Sequence, residues 1–556
     1  MKDGTRLSAD IYFPEGGPRG GPYPVVLHRT PYNNQRPSYV ATGRYLSDHG
    51  YVFITQDVRG RHDSEGHWIP FRFEGIDGHD TVEWAAAQPW SNGKVATMGG
   101  SYSGWCQWAL ARERPEHLTT MVSTATSGNW FQENPYHNGC LMLVMLAWLN
   151  VAGRRVVQDP GLVDNWPEVF RHLPLVTMDE RLGRRLETWR EWLTHSRLDD
   201  YWQSLRLDDD FRRIDIPVLH ITGWYDDDQP GSLYFYDAMS NESPRAADQH
   251  LIIGPWDHGG TRKPRQDFGG VDFGPGALMD MDAVHRAWFD RWLRDVPAAQ
   301  PDNEKIRLFL TGADTWVVTD SWPAVADWAT MYLRSDGHAN TLTGDGRLTT
   351  QSPVVPEQAD SYRYDPADPV PSVLDEDFFS PTWSEAPLDR RFQQSRSDVL
   401  VFTGDAQPED LVLLGQPRLH LFASSDSPDT DWFTALHDVS PDGGSMLLAE
   451  GRLRARFHTS LTEETLLDAG EVYEFVITLG GVGHVVKSGH RLRLSITSSD
   501  FPTWDRNPNT GHSLGQSSEL RVAVNAVHHS PASPSRIEVP IGSSLPSELG
   551  ARQWGA

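Results

Sequence analysis

Cysteine is nearly absent. Across 556 residues only Cys106 and Cys140 occur, so no disulfide framework can hold the fold. Cys106 falls in a stretch with helical spacing and reads as a buried free thiol. Long apolar runs are absent as well. The longest, "CLMLVMLAWL" at 140–149, falls far short of the roughly 20 residues a membrane-spanning helix needs. It reads as a buried or pocket-lining helix. The opening "MKDGTRLSAD" lacks the apolar segment of a secretory signal. No basic stripe offsets a formal net charge of −27, which argues against nucleic acid and anionic membranes as partners. That acidity is spread along the chain, as a soluble surface requires. Fixed-period repeats and low-complexity tracts are also missing. These absences leave a soluble chain, expected in the cytoplasm, with a small-molecule partner. A homo-oligomer stays open. Met1 runs almost directly into a strand-like pattern, so a segment upstream of it would alter the expected location.

What the sequence does have is length and tryptophan. A chain of 556 residues is too long for one hydrophobic core, and two to four domains are expected. Its 22 tryptophans imply large cores, interfaces and aromatic-walled pockets. Up to residue 127, "YPVVLHRT", "YVFITQDV", "KVATMGG" and "LTTMVSTAT" read as buried strands, with "GIDGHDTVEWAAAQPW" and "GWCQWALARERPEHL" as helices between them. Continuous apolar strands separated by helices imply a parallel sheet covered on both faces.

Strand patterns vanish over 128–213, where Leu-, Trp- and Arg-rich helical stretches take over, and resume with "IPVLHITGW" and "QHLIIGPW". The economical reading is an α/β domain made of 1–127 and 214–325, with a helical insertion at 128–213. From 326 to 556, short alternating strands such as "PRLHLFASS" and "HRLRLSITSS", separated by turn residues, predict a β-sandwich.

Ligands of an open parallel sheet bind beyond the carboxyl ends of its strands. There the first strand delivers Tyr32, and the second delivers Asp57, Arg59, Arg61 and His62. The third delivers Ser101, and the later pair Asp226 and His258. A serine, an acid and a base at three strand ends, in that chain order, match an α/β-hydrolase arrangement. A serine hydroxyl attacks only when a histidine can take its proton, and the histidine needs a carboxylate to fix its tautomer. Neither metal nor cofactor is required. In "VATMGGSYSGW" the small residues Gly99, Gly100 and Gly104 suit a sharp strand-to-helix turn at Ser101. Ser103 is expected to serve the helix start through a backbone hydrogen bond. The run Asp226–Asp227–Asp228 offers one triad acid and two loop or substrate contacts.

These residues resemble the cocaine esterase and Xaa-Pro dipeptidyl-peptidase family of serine hydrolases. The resemblance covers nearly the whole chain: "RTPYN", "QDVRGRHDSEG", "GGSYSG" (the family's G-x-S-Y-x-G), "GWYDD", "GPWDHG", "DTDWFTALHDVSPDG" and "GHRLRLSITSSDFPTWDRNPNTG". It implies an α/β-hydrolase domain with an inserted helical cap and a C-terminal jelly-roll. It also implies Ser101 as nucleophile, Asp226 as acid and His258 as base. The Tyr32 hydroxyl and the Tyr102 backbone N–H would form the oxyanion hole.

The expected reaction is hydrolysis of a carboxylic ester, or an amide, through an acyl-enzyme. Trp105, Trp130, Phe131 and Trp224 are the expected pocket walls. Some relatives recognise a substrate ammonium with clustered carboxylates. Glu133, Asp227 and Asp228 form a partial set of that kind, with Asn134 and Gln229 where further acids would complete it. Cleavage after Xaa-Pro and amino-acid ester hydrolysis are therefore the rival activities. A carbohydrate-binding role without catalysis would leave the triad and Tyr32 without a purpose.

Overall fold

The computed structural model describes residues 1–159, 163, 165–296, 304–372 and 388–542. In the first half a nine-stranded sheet is built from β1 (Ala9–Tyr12), β2 (Tyr23–Thr30), β3 (Val52–Asp57), β4 (Ser91–Gly100) and β5 (Leu118–Thr124), joined later by four further strands. The helices among them are α1 (Pro37–Asp48), α2 (Glu74–Ala86) and α3 (Tyr102–Arg112). After β5 the chain leaves the sheet for a small hairpin, β6 (Tyr136–His137) and β7 (Cys140–Leu141), and four short helices: α4 (Val144–Ala152), α5 (Trp166–Arg171), α6 (Glu187–Thr194) and α7 (Asp200–Gln203). It returns as β8 (Val218–Tyr225), α8 (Gln229–Glu242) and β9 (Gln249–Asp257). The hairpin β10 (Asp267–Phe268) and β11 (Val271–Asp272) follows, then α9 (Met281–Arg294), β12 (Ile306–Leu310) and β13 (Thr315–Thr319).

The spatial order is β1-β3-β2-β4-β5-β8-β9-β12-β13. The seven strands from β3 to β12 pair in parallel, and only the edge strands β1 and β13 run antiparallel. Period-two alternation explains the two covered faces. On one face Val26 and Phe53 pack against Leu46 of α1 and Val284 and Trp288 of α9; on the other, Val25, Leu27 and Ile54 join α2 and α3.

One expectation for the inserted region changes. The apolar run 140–149 is part strand and part helix, because Gly139 turns the chain at φ 89° and Cys140–Leu141 pairs with Tyr136–His137 before α4 begins. The Trp- and Arg-rich stretch that follows is helical, in short pieces. A 3₁₀ segment at Leu175–Leu182 ends at Gly183 with φ 69°, and two short helices come after it.

From Asp327 to Ile541 the described chain forms a thirteen-stranded β network. Some of its strands alternate as expected, such as Arg491–Thr497 with every second residue buried, whereas Asp431–Val439 and Ser445–Arg454 are buried almost throughout. Its interior also holds fully buried charge. Arg454 reaches Asp431 (2.9 Å) and Asp505 (2.8 Å), and the Asp505 carboxylate also accepts the Leu141 N–H (2.8 Å), tying β7 to this domain. A second tie comes from Gln229, whose side chain donates to the Gly481 carbonyl at 3.2 Å.

Candidate active site

Ser101 stands between β4 and α3 with φ 60° and ψ −131°, a backbone conformation that costs a non-glycine residue energy and recurs at nucleophile corners. Its N–H is held by the Ala125 carbonyl at 2.7 Å and its carbonyl accepts from Trp105 N at 3.0 Å. Close packing explains the flanking small residues. A Cβ on Gly99 would come within 2.7 Å of the Ser103 Cβ, and one on Gly104 would collide with the Thr126 side chain. Ser103 differs from expectation: its hydroxyl is buried and meets no hydrogen-bond partner. It stands on the second residue of α3 and serves as the small side chain against Gly99.

Asp226 and His258 follow the carboxyl ends of β8 and β9. His258 Nδ1 lies 2.8 Å from Asp226 Oδ1. Asp226 is buried and fixed by two further bonds, from the Thr222 hydroxyl (2.8 Å) and the Asp228 N–H (3.1 Å). Asp227 also approaches His258 Nδ1, at 3.1 Å, and Asp228 lies 3.7 Å away. Burial opposes a charge on this imidazole. The Asp227 carboxylate, with hydrogen bonds to Asp226 and Asp227, more than offsets burial and the repulsion from Arg262, and holds His258 well above its ordinary range. These three residues bring ligand-type atoms within 4.8 Å of one another, but the carboxylates are already engaged with the imidazole rather than turned toward a common ion.

Tyr32 lies just beyond β2. Its phenol oxygen accepts from Trp148 Nε1 at 2.9 Å and faces the Ser101 hydroxyl. An indole N–H can only donate, so the phenol proton is left free to donate in its turn. Burial pushes this phenol up to about 12 despite the Trp148 bond, which keeps it a neutral donor. Trp148 was not among the expected site residues, although the apolar run that carries it was read as pocket-lining. The Tyr102 N–H opens α3 and so has no intrahelical acceptor. The Tyr102 side chain points away into a buried set of bonds: its phenol donates to Glu74 and accepts from Phe71 N (3.0 Å) and Trp68 Nε1 (3.1 Å).

A cavity of about 200 Å³ opens beside His258, between the sheet, the inserted region and the C-terminal domain. Asp226, Asp227, Glu133 and Trp224 line it from one side, Glu450 and Arg452 from the other. Trp105, Trp130 and Phe131 do not line it. They are nearly or fully buried, Trp105 and Trp130 in a T-shaped contact at 5.1 Å and Phe131 against Tyr136 at 4.9 Å, and they belong to the packed core. The contribution of the C-terminal domain had no signal in the sequence, since Glu450 and Arg452 sit in the strand Ser445–Arg454, far along the chain from the triad residues.

The acids thought able to meet an ammonium are differently placed. Glu133 is buried and accepts three backbone N–H groups, from Gly128 (2.9 Å), Asn129 (3.0 Å) and Gly231 (3.1 Å). Asp228 is buried and accepts from Asn134 Nδ2 at 2.9 Å. Burial, then mutual repulsion among the acids, pushes both Glu133 and Asp228 well above the usual carboxylate range. Asp227 is exposed.

Comparison with known proteins decides the family. Residues 3–260 match the model of the X-Pro dipeptidyl-peptidase (S15 family), and 299–538 match the X-Pro dipeptidyl-peptidase C-terminal non-catalytic domain. The chain is 33% identical to a cocaine esterase of Rhodococcus sp. (strain MB1 Bresler), over 97% of each chain. It belongs to the cocaine esterase and X-Pro dipeptidyl-peptidase family. It is therefore a serine hydrolase acting on small-molecule substrates, with a catalytic α/β domain and a non-catalytic β domain. Two solved structures share the whole architecture. An aminopeptidase from a marine sediment Thaumarchaeota archaeon is 27% identical with a TM-score of 0.88, covering 98% of this chain and 95% of its own. An α-amino acid ester hydrolase is 26% identical with a TM-score of 0.87, covering 97% and 95%. Among the described residues, no helix is long and apolar enough to cross a membrane.

Proposed function

We propose that this member of the family hydrolyses carboxylic esters through a Ser101–His258–Asp226 triad and an acyl-enzyme intermediate. The observation that carries the reading is the Asp226–His258 bond at 2.8 Å, at the ends of β8 and β9 on the same carboxyl edge of the sheet as the strained Ser101 corner. Asp226, oriented by Thr222 and the Asp228 N–H, fixes the tautomer in which His258 Nε2 is free to act as base. The link the reading adds is proton transfer from Ser101 Oγ to that nitrogen. Ser101 Oγ then bonds to the carbonyl carbon, and the oxygen that gains charge is held by the Tyr32 hydroxyl and the Tyr102 N–H. Collapse expels the alcohol with the His258 proton, and water repeats the sequence to release the acid. The same reading divides the chain into 1–127 with 214–325, 128–213, and 326–556.

A second reading, preference for a substrate with a free α-amino group, draws on the exposed Asp227 carboxylate beside the acid-lined cavity and on the likeness to an aminopeptidase and an amino-ester hydrolase. The engagement of both Glu133 oxygens by backbone N–H groups, and of Asp228 Oδ1 by Asn134, favours the plain ester. Rates on an aryl ester, an α-amino-acid ester, its N-acetyl form, a glutaryl amide and an Xaa-Pro anilide separate the two. A free amino group that gives no advantage over the acetylated form supports the ester reading. An advantage of tenfold or more transfers the assignment to the second.

A further inference from the structure

The stretch "QDVRGRH" places one more charged group beside the corner, and the mechanism above does not use it. Arg61 is fully buried. Its Nε donates to the carbonyl of Pro31, the residue before Tyr32, at 2.8 Å. Among the described residues, neither of its terminal nitrogens meets a protein acceptor. The acid on the same strand end, Asp57, is bonded through Oδ1 to Asn34 N at 2.8 Å, and its Oδ2 also lacks a partner, so no ion pair joins it to Arg61. The guanidinium rests on the Trp68 ring at 5.1 Å. Trp68 in turn donates to the Tyr102 phenol at 3.1 Å and packs at 5.6 Å against Trp148, the donor to Tyr32.

A buried guanidinium with two unpartnered nitrogens and no direct ion pair is a costly arrangement, and it persists here beside the two residues proposed to hold the oxyanion. We infer that Arg61 is a positioning residue for the oxyanion hole, its fixed positive charge and its bond to Pro31 setting Tyr32 and Tyr102 to receive the negative charge that forms in the transition state. The inference rests on the Ser101 acyl-enzyme reading. Burial pulls the guanidinium down to about 10, against the influence of Tyr102, Tyr32 and Asp57, so it is still charged at neutral pH. Burial also pushes Asp57 up to about 6, and burial with the nearby Arg61 charge pulls His62 down to about 4. Asp57 is still largely ionised at neutral pH and offsets part of the Arg61 charge from a distance, while His62 is neutral and adds no competing cation. A guanidinium fully engaged in an ion pair would have less to offer when the carbonyl oxygen turns negative; this one keeps two terminal nitrogens unengaged until then.

The test compares wild type, Arg61→Met and Arg61→Lys on a neutral aryl ester, with an aryl boronic acid as the anionic tetrahedral mimic and thermal unfolding alongside. Arg61→Met is expected to lower kcat by about 10- to 100-fold, to leave KM within about threefold, and to weaken the boronate in proportion to kcat. Arg61→Lys is expected to recover most of both. Equal impairment of Met and Lys, or a loss of kcat with unchanged boronate affinity, overturns the inference, because a residue that only braces the loop gives that pattern. Should Arg61→Met fail to fold, Arg61→Lys is measured with and without Tyr32→Phe. A Lys effect on kcat that vanishes without the phenol supports the inference, and one that persists unchanged overturns it. Fluorophosphonate labelling of Ser101 keeps the two claims apart. Without labelling, the acyl-enzyme reading falls; with labelling but an unimpaired Arg61→Met, only the role of Arg61 falls.

Discussion

Arg454 and Arg61 are both fully buried, and they are treated in opposite ways. In the C-terminal domain Arg454 is met by Asp431 and Asp505 with four hydrogen bonds between 2.8 and 2.9 Å. Arg456 beside it is held by Asp429 at 2.8 Å. Every charge there has its partner, and the network joins strand to strand and the domain to β7. At the catalytic corner Arg61 has one neutral acceptor, Ser101 is strained, and Glu133 and Asp228 are forced together. The difference separates charge used to fix a structure from charge left available for a reaction. Buried pairs that are complete contribute little to chemistry, whereas incomplete ones are the features a transition state can satisfy.

The largest effect should come from the corner itself. Ser101→Ala is expected to lower kcat for ester hydrolysis by about 10⁴–10⁶ with native-like unfolding, measured with an aryl ester. Next comes a loss of stability rather than of chemistry. Arg454→Met strands Asp431 and Asp505 without their cation and should cost about 3–5 kcal/mol in urea unfolding, while any protein that remains folded keeps its kcat. If Arg454→Met instead loses kcat at full stability, the division of roles between the two regions is wrong. Tyr32→Phe keeps the ring and removes the donor, and should cost about 10²–10³ in kcat with little change in KM, read by steady-state kinetics.

The smallest effect is a displacement in pH. His258 is raised mainly by Asp227 and by hydrogen bonds to Asp226 and Asp227, against burial and the Arg262 charge, with Asp228 also facing it. Only the neutral imidazole can act as base, so activity should rise with pH through this elevated value. Asp227→Asn removes a negative charge that favours the imidazolium. The imidazole then loses its proton at lower pH, and the acid limb of the kcat/KM profile moves down. An acid limb unmoved or moved upward contradicts the assigned cause.

Much of this was legible in the sequence, and the parts that were not share a reason. Strand ends, the Ser…Asp…His order and the glycine-flanked corner are local patterns, so Ser101, His258, Tyr32 and the run Asp226–Asp228 could be placed at strand ends before any fold was known, while the choice of Asp226 and the oxyanion role of Tyr32 came from the family resemblance. The direct approach of Asp227 to His258 Nδ1 was not visible, because three consecutive aspartates differ only in where each side chain points after β8. Trp148, Glu450 and Arg452 reach the site from segments whose local pattern speaks only of helix and strand. Trp105, Trp130 and Phe131 were expected on the pocket wall from their chemistry, yet aromatic residues beside a nucleophile serve equally well as packed core. The unpaired state of Arg61 is a property of what surrounds it, and no spacing encodes that.

The central claim is that Ser101 carries the acyl group. Mixing the protein with an activated aryl ester that deacylates slowly, quenching in acid and measuring the intact mass tests it directly. One acyl adduct is predicted, located to the peptide containing Ser101 and absent from Ser101→Ala. An adduct on another residue, or ester turnover by Ser101→Ala at the wild-type rate, would contradict it.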